Sequence, residues 1–239
     1  MHAVKQINGA RKCKVEWLCL SALAVLLLIP AQAAKRHSVL QNSIPYSHRK
    51  ISNTPFVAFD TETTGFSPAN NRIVEIAGVK YQNGQIVEKK TWLIDPQCPI
   101  PYWARKVHGI TDAMVEGKPT FEEIYPEFLA FTDGCVLMAH NAGFDVGFIK
   151  AEIERAGLPF PRNRIIDSLT LFRGWYPDLE SHTLEALASH IEVNNGGFHR
   201  ALADSIYIAH ILDDGLGRMD NRARLRDLYM AAGGSPLQF

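Results

Sequence analysis

The dipeptide Asn83-Gly84 separates two strand-like runs, Arg72 to Tyr81 and Gln85 to Ile94, and constrains the fold more than any other feature of the chain. A two-residue hairpin turn needs positive φ at both central positions, which Asn and Gly tolerate best, so the two runs read as antiparallel strands. Ahead of them, Phe56-Val-Ala-Phe59 is a short apolar run that ends in acids, the pattern of a buried strand. Downstream the periodicity alternates. It predicts a helix over 121–131 with Thr120 as its N-cap, a strand over 135–139, a helix over 144–155 stopped by Gly157 and Pro159, and a short strand over 164–167. Helices follow near 168–174, 183–190, 200–213 and 220–232. An opening hairpin followed by strand–helix alternation gives a mixed α/β sheet flanked by helices in a single domain.

Composition narrows the class. The chain has 239 residues, 46% of them hydrophobic, with 25 basic and 25 acidic side chains. That excludes wholesale disorder, a collagen-like repeat and a polytopic membrane protein. A zero balance also argues against a protein that coats nucleic acid non-specifically, which needs a basic excess. It leaves room for an enzyme that grips one chain end.

The zero is a cancellation between unlike parts. Residues 1–33 carry Lys5, Arg11, Lys12 and Lys14 against Glu16, then an uncharged stretch from Trp17 to Ile29, then Pro30 and Ala31-Gln32-Ala33. A basic stretch, an apolar core and an A-x-A triplet describe a secretory signal peptide. The apolar stretch reaches roughly 20 Å as a helix, short of the ~30 Å hydrocarbon core. The expectation is therefore export, periplasmic or secreted, after cleavage. The alternatives are an uncleaved membrane anchor, or a cytoplasmic chain whose start is misassigned. Beyond residue 33 the chain carries 21 basic and 24 acidic residues, and its cysteines are Cys98 and Cys135, too few for a disulfide framework. Residues 34–54 read as a flexible tether, 55–215 as the folded catalytic domain and 216–239 as a C-terminal helix and tail.

Three short segments carry chemistry. In Phe59-Asp60-Thr61-Glu62-Thr63-Thr64-Gly65, Asp60 and Glu62 sit at i and i+2 of a strand and so share one face. They are either two solvated acids at a strand end or one side of a divalent-cation site, the usual way to hold two carboxylates close. In Ala139-His140-Asn141-Ala142-Gly143-Phe144-Asp145, a second strand ends and an acid appears where a helix begins. Asp145 there either complements the helix dipole or joins the same site. In His199-Arg200-Ala201-Leu202-Ala203-Asp204, five residues of helix would turn His199 and Asp204 roughly 140° apart. A shared site therefore requires His199 on a loop, such as Asn194-Asn195-Gly196-Gly197 supplies, with Asp204 inside the helix.

The ordered set Asp60-x-Glu62, His140-Asn141-x-x-Phe144-Asp145 and His199-x-x-x-x-Asp204 resembles the DEDDh exonuclease superfamily, and is most similar to the proofreading exonucleases of bacterial replicative polymerases. Val107-His108-Gly109-Ile110-Thr111 and Leu184-Glu-Ala-Leu-Ala188 extend the match, which runs from about Phe56 to Leu212. The sister subfamily has a Tyr four residues before the last acid; here that position is Arg200, so the His branch fits.

The resemblance implies a ribonuclease-H-like mixed sheet whose first three strands are antiparallel and later ones parallel. It implies 3′→5′ hydrolysis of DNA or RNA to nucleoside 5′-monophosphates by two divalent cations, Mg2+ or Mn2+, held by Asp60, Glu62, Asp145 and Asp204. His199 would take the proton of the attacking water. Thr61, Thr63, Thr64, Gly65, His108, Asn141 and Phe144 are the expected substrate contacts, with Phe144 also readable as a core residue; His140 reads as a buried hydrogen-bonding residue, not a ligand. The partner is a single-stranded or frayed 3′ end. No stable polymerase partner is expected, because few residues follow Asp204, and oligomeric state is open. Two rivals remain: a short-oligonucleotide (oligoribonuclease-like) hydrolase, and a catalytically silent nucleic-acid-binding module. Arg218, Arg222, Arg224 and Arg226 in the tail are either a solvated face or a contact to the substrate backbone.

Overall fold

The hairpin forms as its turn residues dictate: Asn83 and Gly84 take φ of 53° and 77°, and Gln82 pairs with Gln85. The computed structural model describes residues 46–194 and 197–239. In chain order these give β1 (Phe56–Thr63), β2 (Ile73–Gln82) and β3 (Gln85–Leu93), then α1 (Tyr102–His108), α2 (Asp112–Val115) and α3 (Phe121–Thr132). There follow β4 (Val136–Ala139), α4 (Gly143–Ala156), β5 (Ile165–Asp167), α5 (Ser168–Trp175), α6 (Leu184–His190), α7 (Ala201–Gly217) and α8 (Leu225–Ala231). The sheet order is β3-β2-β1-β4-β5, with β1–β2 and β2–β3 antiparallel and β1–β4 and β4–β5 parallel. This is the ribonuclease-H-like arrangement expected from the sequence.

Both faces of the sheet are covered, so its central strands are apolar on both sides. Phe56 and Ala58 of β1 join Val79 and Tyr81 of β2 in a core closed by α5, α6, α7 and α8. Val57 and Phe59 join Ile76 in the opposite core, closed by α3 and α4. Local signals set the helix ends. Thr120 and Glu123 form a capping box on α3, and Gly157, with φ of 63°, ends α4. The short helices α1 and α2 have no counterpart in the sequence periodicity. They cover a small third cluster of Val74, Ile100, Ala104, Ile110 and Val115.

The end of the predicted tether is not loose. Ile51 is buried, its N–H donates to the Ala223 carbonyl at 3.1 Å, and Lys50 forms a β-bridge with Arg224. An amphipathic patch as short as this, paired to residues more than 170 positions away, leaves no periodic trace. The last predicted helix is also shorter than its pattern, starting at Leu225. Cys98 is exposed, Cys135 is buried, and both are free thiols. The predicted leader over 1–33 and the first part of the tether lie outside the described residues. Among the described residues no helix is long and apolar enough to cross a membrane.

Candidate active site

The alternation along β1 sends Asp60 and Glu62 to the side of the sheet that α7 covers. Asp204, in the first turn of α7, meets them there: one carboxylate oxygen from each of the three lies within 4.8 Å of the other two. Asp204 Oδ2 accepts the His199 N–H at 3.1 Å. Its Oδ1 is buried and has no hydrogen-bond partner.

Asp145 arrives from the other side of the sheet. It is buried in the first turn of α4, and its Oδ1 accepts both the backbone N–H of Thr61, at 3.0 Å, and the Thr61 hydroxyl, at 2.7 Å. Thr61 points away from Asp60 and Glu62, so this contact lies on the opposite side of the strand from them. The turn before α4 is held in its turn by Asp167, whose Oδ1 accepts the Ala142 N–H at 3.1 Å.

Four acids gathered this way repel their own charge. Loss of water pushes Asp60 well above the usual carboxylate range, with Asp145, Glu62 and Asp204 adding to the effect. Burial pushes Glu62 to about 8, reinforced first by Asp204. Burial also raises Asp145 to about 7 against the pull of the Thr61 donors, and Asp204 to about 6 against its bond from His199. Carboxylates so destabilised as anions call for protons or cations. The all-oxygen donor set suits a hard divalent ion, and the buried Asp204 Oδ1 is left without a protein donor. The residues fit a metal centre.

His199 lies just before α7 with φ of 64°, off the helix, as a shared site with Asp204 requires. Its ring is largely exposed, and Nε2 is 3.8 Å from Glu185 Oε1. Both line a cleft of about 830 Å³ with Asp204, Asn141, Arg173, Glu180 and His182. Residues 195 and 196 of the loop predicted ahead of His199 lie outside the described residues. His140 pins one wall: its Nδ1 is 3.1 Å from the Ser168 hydroxyl and its Nε2 2.8 Å from the His182 carbonyl. It is a hydrogen-bonding scaffold residue, as the sequence suggested.

The expected substrate contacts divide. Asn141 is exposed at the cleft, while Phe144 is partly buried with its ring 4.9 Å from that of Phe148. Thr63 and Thr64 turn inward. Thr63 donates to the Gly65 carbonyl at 2.6 Å, and Thr64 accepts the Arg72 N–H at 3.0 Å. A Cβ on Gly65 would come within 2.4 Å of the Asn71 side chain, so that glycine serves the packing of its own loop. His108 is buried and its Nδ1 accepts the Ile110 N–H at 3.0 Å; burial lowers its pKa. Sequence reasoning missed an exposed pair that follows the first motif directly. Phe66, 77% exposed, stacks on Trp103 of α1 with ring centroids 5.0 Å apart. An apolar residue after a Thr-Thr-Gly turn was the available signal. Two of the tail arginines are engaged within the protein: Arg218 pairs with Asp214 at 2.6 Å, and Arg224 donates to the His48 carbonyl at 2.6 Å.

Comparison with known proteins gives concordant results. The family model RNase_T, described as an exonuclease, matches residues 57–212. A DNA polymerase III of the PolC type from Clostridium perfringens is 38% identical over 181 residues, which is 76% of this chain and 12% of that protein. The chain thus spans a small part of the PolC relatives it matches. Among solved structures, exonuclease X in complex with 5′ overhanging duplex DNA is 30% identical, covering 72% of this chain and 98% of that one, with a TM-score of 0.58. The nuclease domain of 3′hExo, a DEDDh family member bound to rAMP, shares the fold at 18% identity and a TM-score of 0.63, covering 70% of this chain and 94% of that one. The relatives also correct the predicted export. The PolC-type polymerases this chain matches are cytoplasmic enzymes, not secreted ones.

Proposed function

The chain belongs to the RNase_T family as a DEDDh-type, metal-dependent 3′→5′ exonuclease domain, and on that premise we propose that it strips nucleoside 5′-monophosphates from single-stranded or frayed 3′ ends. The cluster of Asp60, Glu62 and Asp204, with the orphaned Asp204 Oδ1, carries this reading. Together with Asp145 these residues would hold two Mg2+ or Mn2+ ions. Bound there, such a pair supplies electrostatic stabilisation to the attacking and leaving oxygens of an in-line displacement.

The protein's own groups do the rest. His199, exposed in the cleft and next to Asp204, accepts the proton of the attacking water, and Glu185 steadies the imidazolium that results. Thr61 fixes the direction of the Asp145 carboxylate. Phe66, stacked on Trp103, offers a face on which the terminal bases stack.

Short oligonucleotides are the better supported substrates within this reading. The family model is RNase_T, and one relative in fold holds rAMP. The cleft is of ordinary small-ligand size, and its wall carries Glu180 and Glu185 beside Arg173 in place of a basic track. Exonuclease X, bound to an overhanging duplex, keeps longer 3′ ends as the second reading. Digestion of 5′-labelled DNA and RNA oligonucleotides of graded length, from dinucleotides upward, separates the two. The short-substrate reading predicts that kcat/KM peaks at the shortest lengths; a steady rise with length would contradict it.

A further inference from the structure

Next to the three clustered carboxylates lies a fourth that takes no part in them. Glu75 of β2 is 1% exposed and stands directly opposite Glu62 in the strand register, on the same side of the sheet. A buried carboxylate beside three others is costly unless both of its oxygens are engaged. Here they are. Arg200 Nη2 donates to Oε1 at 2.7 Å, Arg200 Nε donates to Oε2 at 3.2 Å, and the Ala201 N–H donates to Oε2 at 3.1 Å.

The bonded residues sit between the two groups that matter. His199, in left-handed backbone, precedes Arg200, which is extended at φ −138° and ψ 127°; the helix that carries Asp204 begins at Ala201. The side chain of Arg200, the residue at the N-cap, makes no capping bond of its own. A histidine at positive φ is an uncommon conformation that its surroundings must impose. The fork from Glu75 grips the two residues after it and ties them to β2. That strand is paired to the one bearing Asp60 and Glu62.

Resting on the exonuclease reading above, we infer that the Glu75–Arg200 pair is a positioning device. It sets His199 in register with the carboxylates of Asp60, Glu62 and Asp204, and acts on catalysis through His199 without touching substrate. Arg is required at position 200 because a bidentate fork, not merely a positive charge, fixes the backbone.

The test uses the full chain with Mn2+ and the p-nitrophenyl ester of thymidine 5′-monophosphate, with thermal melts of every protein. Two alterations are compared: Arg200→Lys, which keeps the charge, and Glu75→Gln combined with Arg200→Gln, which removes both charges together. Each is made with and without His199→Ala. With His199 present, kcat per folded enzyme falls about 10- to 10²-fold, the scale of a misplacement near 1 Å, while KM stays within about three-fold. In the His199→Ala background the same changes cost less than about three-fold. Wild-type kcat in either folded variant would overturn the inference. So would equal losses with and without His199, or failure of both variants to fold, since the pair would then serve stability alone. Absence of metal-dependent cleavage by the wild-type protein would instead overturn the exonuclease reading on which the inference rests.

Discussion

Asp145 receives two hydrogen bonds from Thr61, one from its backbone N–H at 3.0 Å and one from its hydroxyl at 2.7 Å, and thereby ties the start of α4 to the end of the strand that carries Asp60 and Glu62. Both partners are buried, so no water replaces a lost donor. Thr61→Val keeps the shape and the N–H but removes the hydroxyl. A hydrogen bond to a charged group contributes about 1.5–3 kcal/mol, and a loss of that size in urea unfolding at neutral pH with Mg2+ present is the expected outcome. An unchanged midpoint would mean that the hydroxyl bond contributes nothing.

The raised carboxylates predict a pH dependence for the metal-free protein. Asp204, Asp145 and Glu62 titrate at about 6, 7 and 8 when folded, above the ordinary range near 4. Between about pH 4 and pH 8 the folded state therefore holds protons that the unfolded chain has released. The stability these groups contribute is complete at the acid end and is lost as pH rises. In chelator the melting temperature should fall from about pH 5 to about pH 8. Added Mg2+ should raise it more at the alkaline end, where the site is anionic. A metal-induced rise of equal size at both ends would contradict this.

Removal of the base should separate chemistry from metal binding. His199→Ala is expected to lose about 10²- to 10⁴-fold in kcat. Its metal-induced rise in melting temperature should remain close to wild type, because His199 is no part of the carboxylate cluster. Asp60→Asn should damage both, and more severely, since it weakens the cluster itself. Comparable turnover in His199→Ala and wild type would remove His199 from the mechanism.

Phe66 tests the substrate path. At 77% exposure its ring supports little of the fold, so Phe66→Ala should leave the melting temperature unchanged. Stacking on an aromatic ring is worth about 1–3 kcal/mol per base, which corresponds to a rise of about 5- to 150-fold in KM on oligonucleotides. A p-nitrophenyl mononucleotide, with fewer rings to stack, should be less affected. An unchanged KM on oligonucleotides would place the ring away from the nucleic acid.

The legible parts of this fold were those written in adjacent residues. Asn83-Gly84 announced the hairpin, Thr120 and Gly157 announced helix ends, and the Asp60-x-Glu62 spacing announced a shared face. Position relative to a strand or helix end marked Asp145, Asp204 and His199 as candidates. Relations between distant residues left no such mark. Thr61 and Asp145 are 84 residues apart, and Glu75 and Arg200 are 125 apart. Arg200 read only as the residue that is not Tyr. The hydroxyls of Thr63 and Thr64, read as substrate contacts, bond within the loop they belong to, a relation that leaves no mark in the sequence. The helices α1 and α2 are too short for a period to show, so the Trp103 partner of Phe66 stayed hidden.

The central claim is that the carboxylates of Asp60, Glu62, Asp145 and Asp204 act as a cation-dependent centre that shortens nucleic acid from its 3′ end. Matched oligonucleotides labelled at the 5′ or the 3′ terminus, incubated with the purified protein and Mg2+, test it most directly. The account predicts a descending ladder from the 5′-labelled strand, immediate release of a labelled nucleoside 5′-monophosphate from the 3′-labelled strand, and neither product once a chelator is added. Digestion that starts at the 5′ end, or that survives complete metal removal, would contradict it.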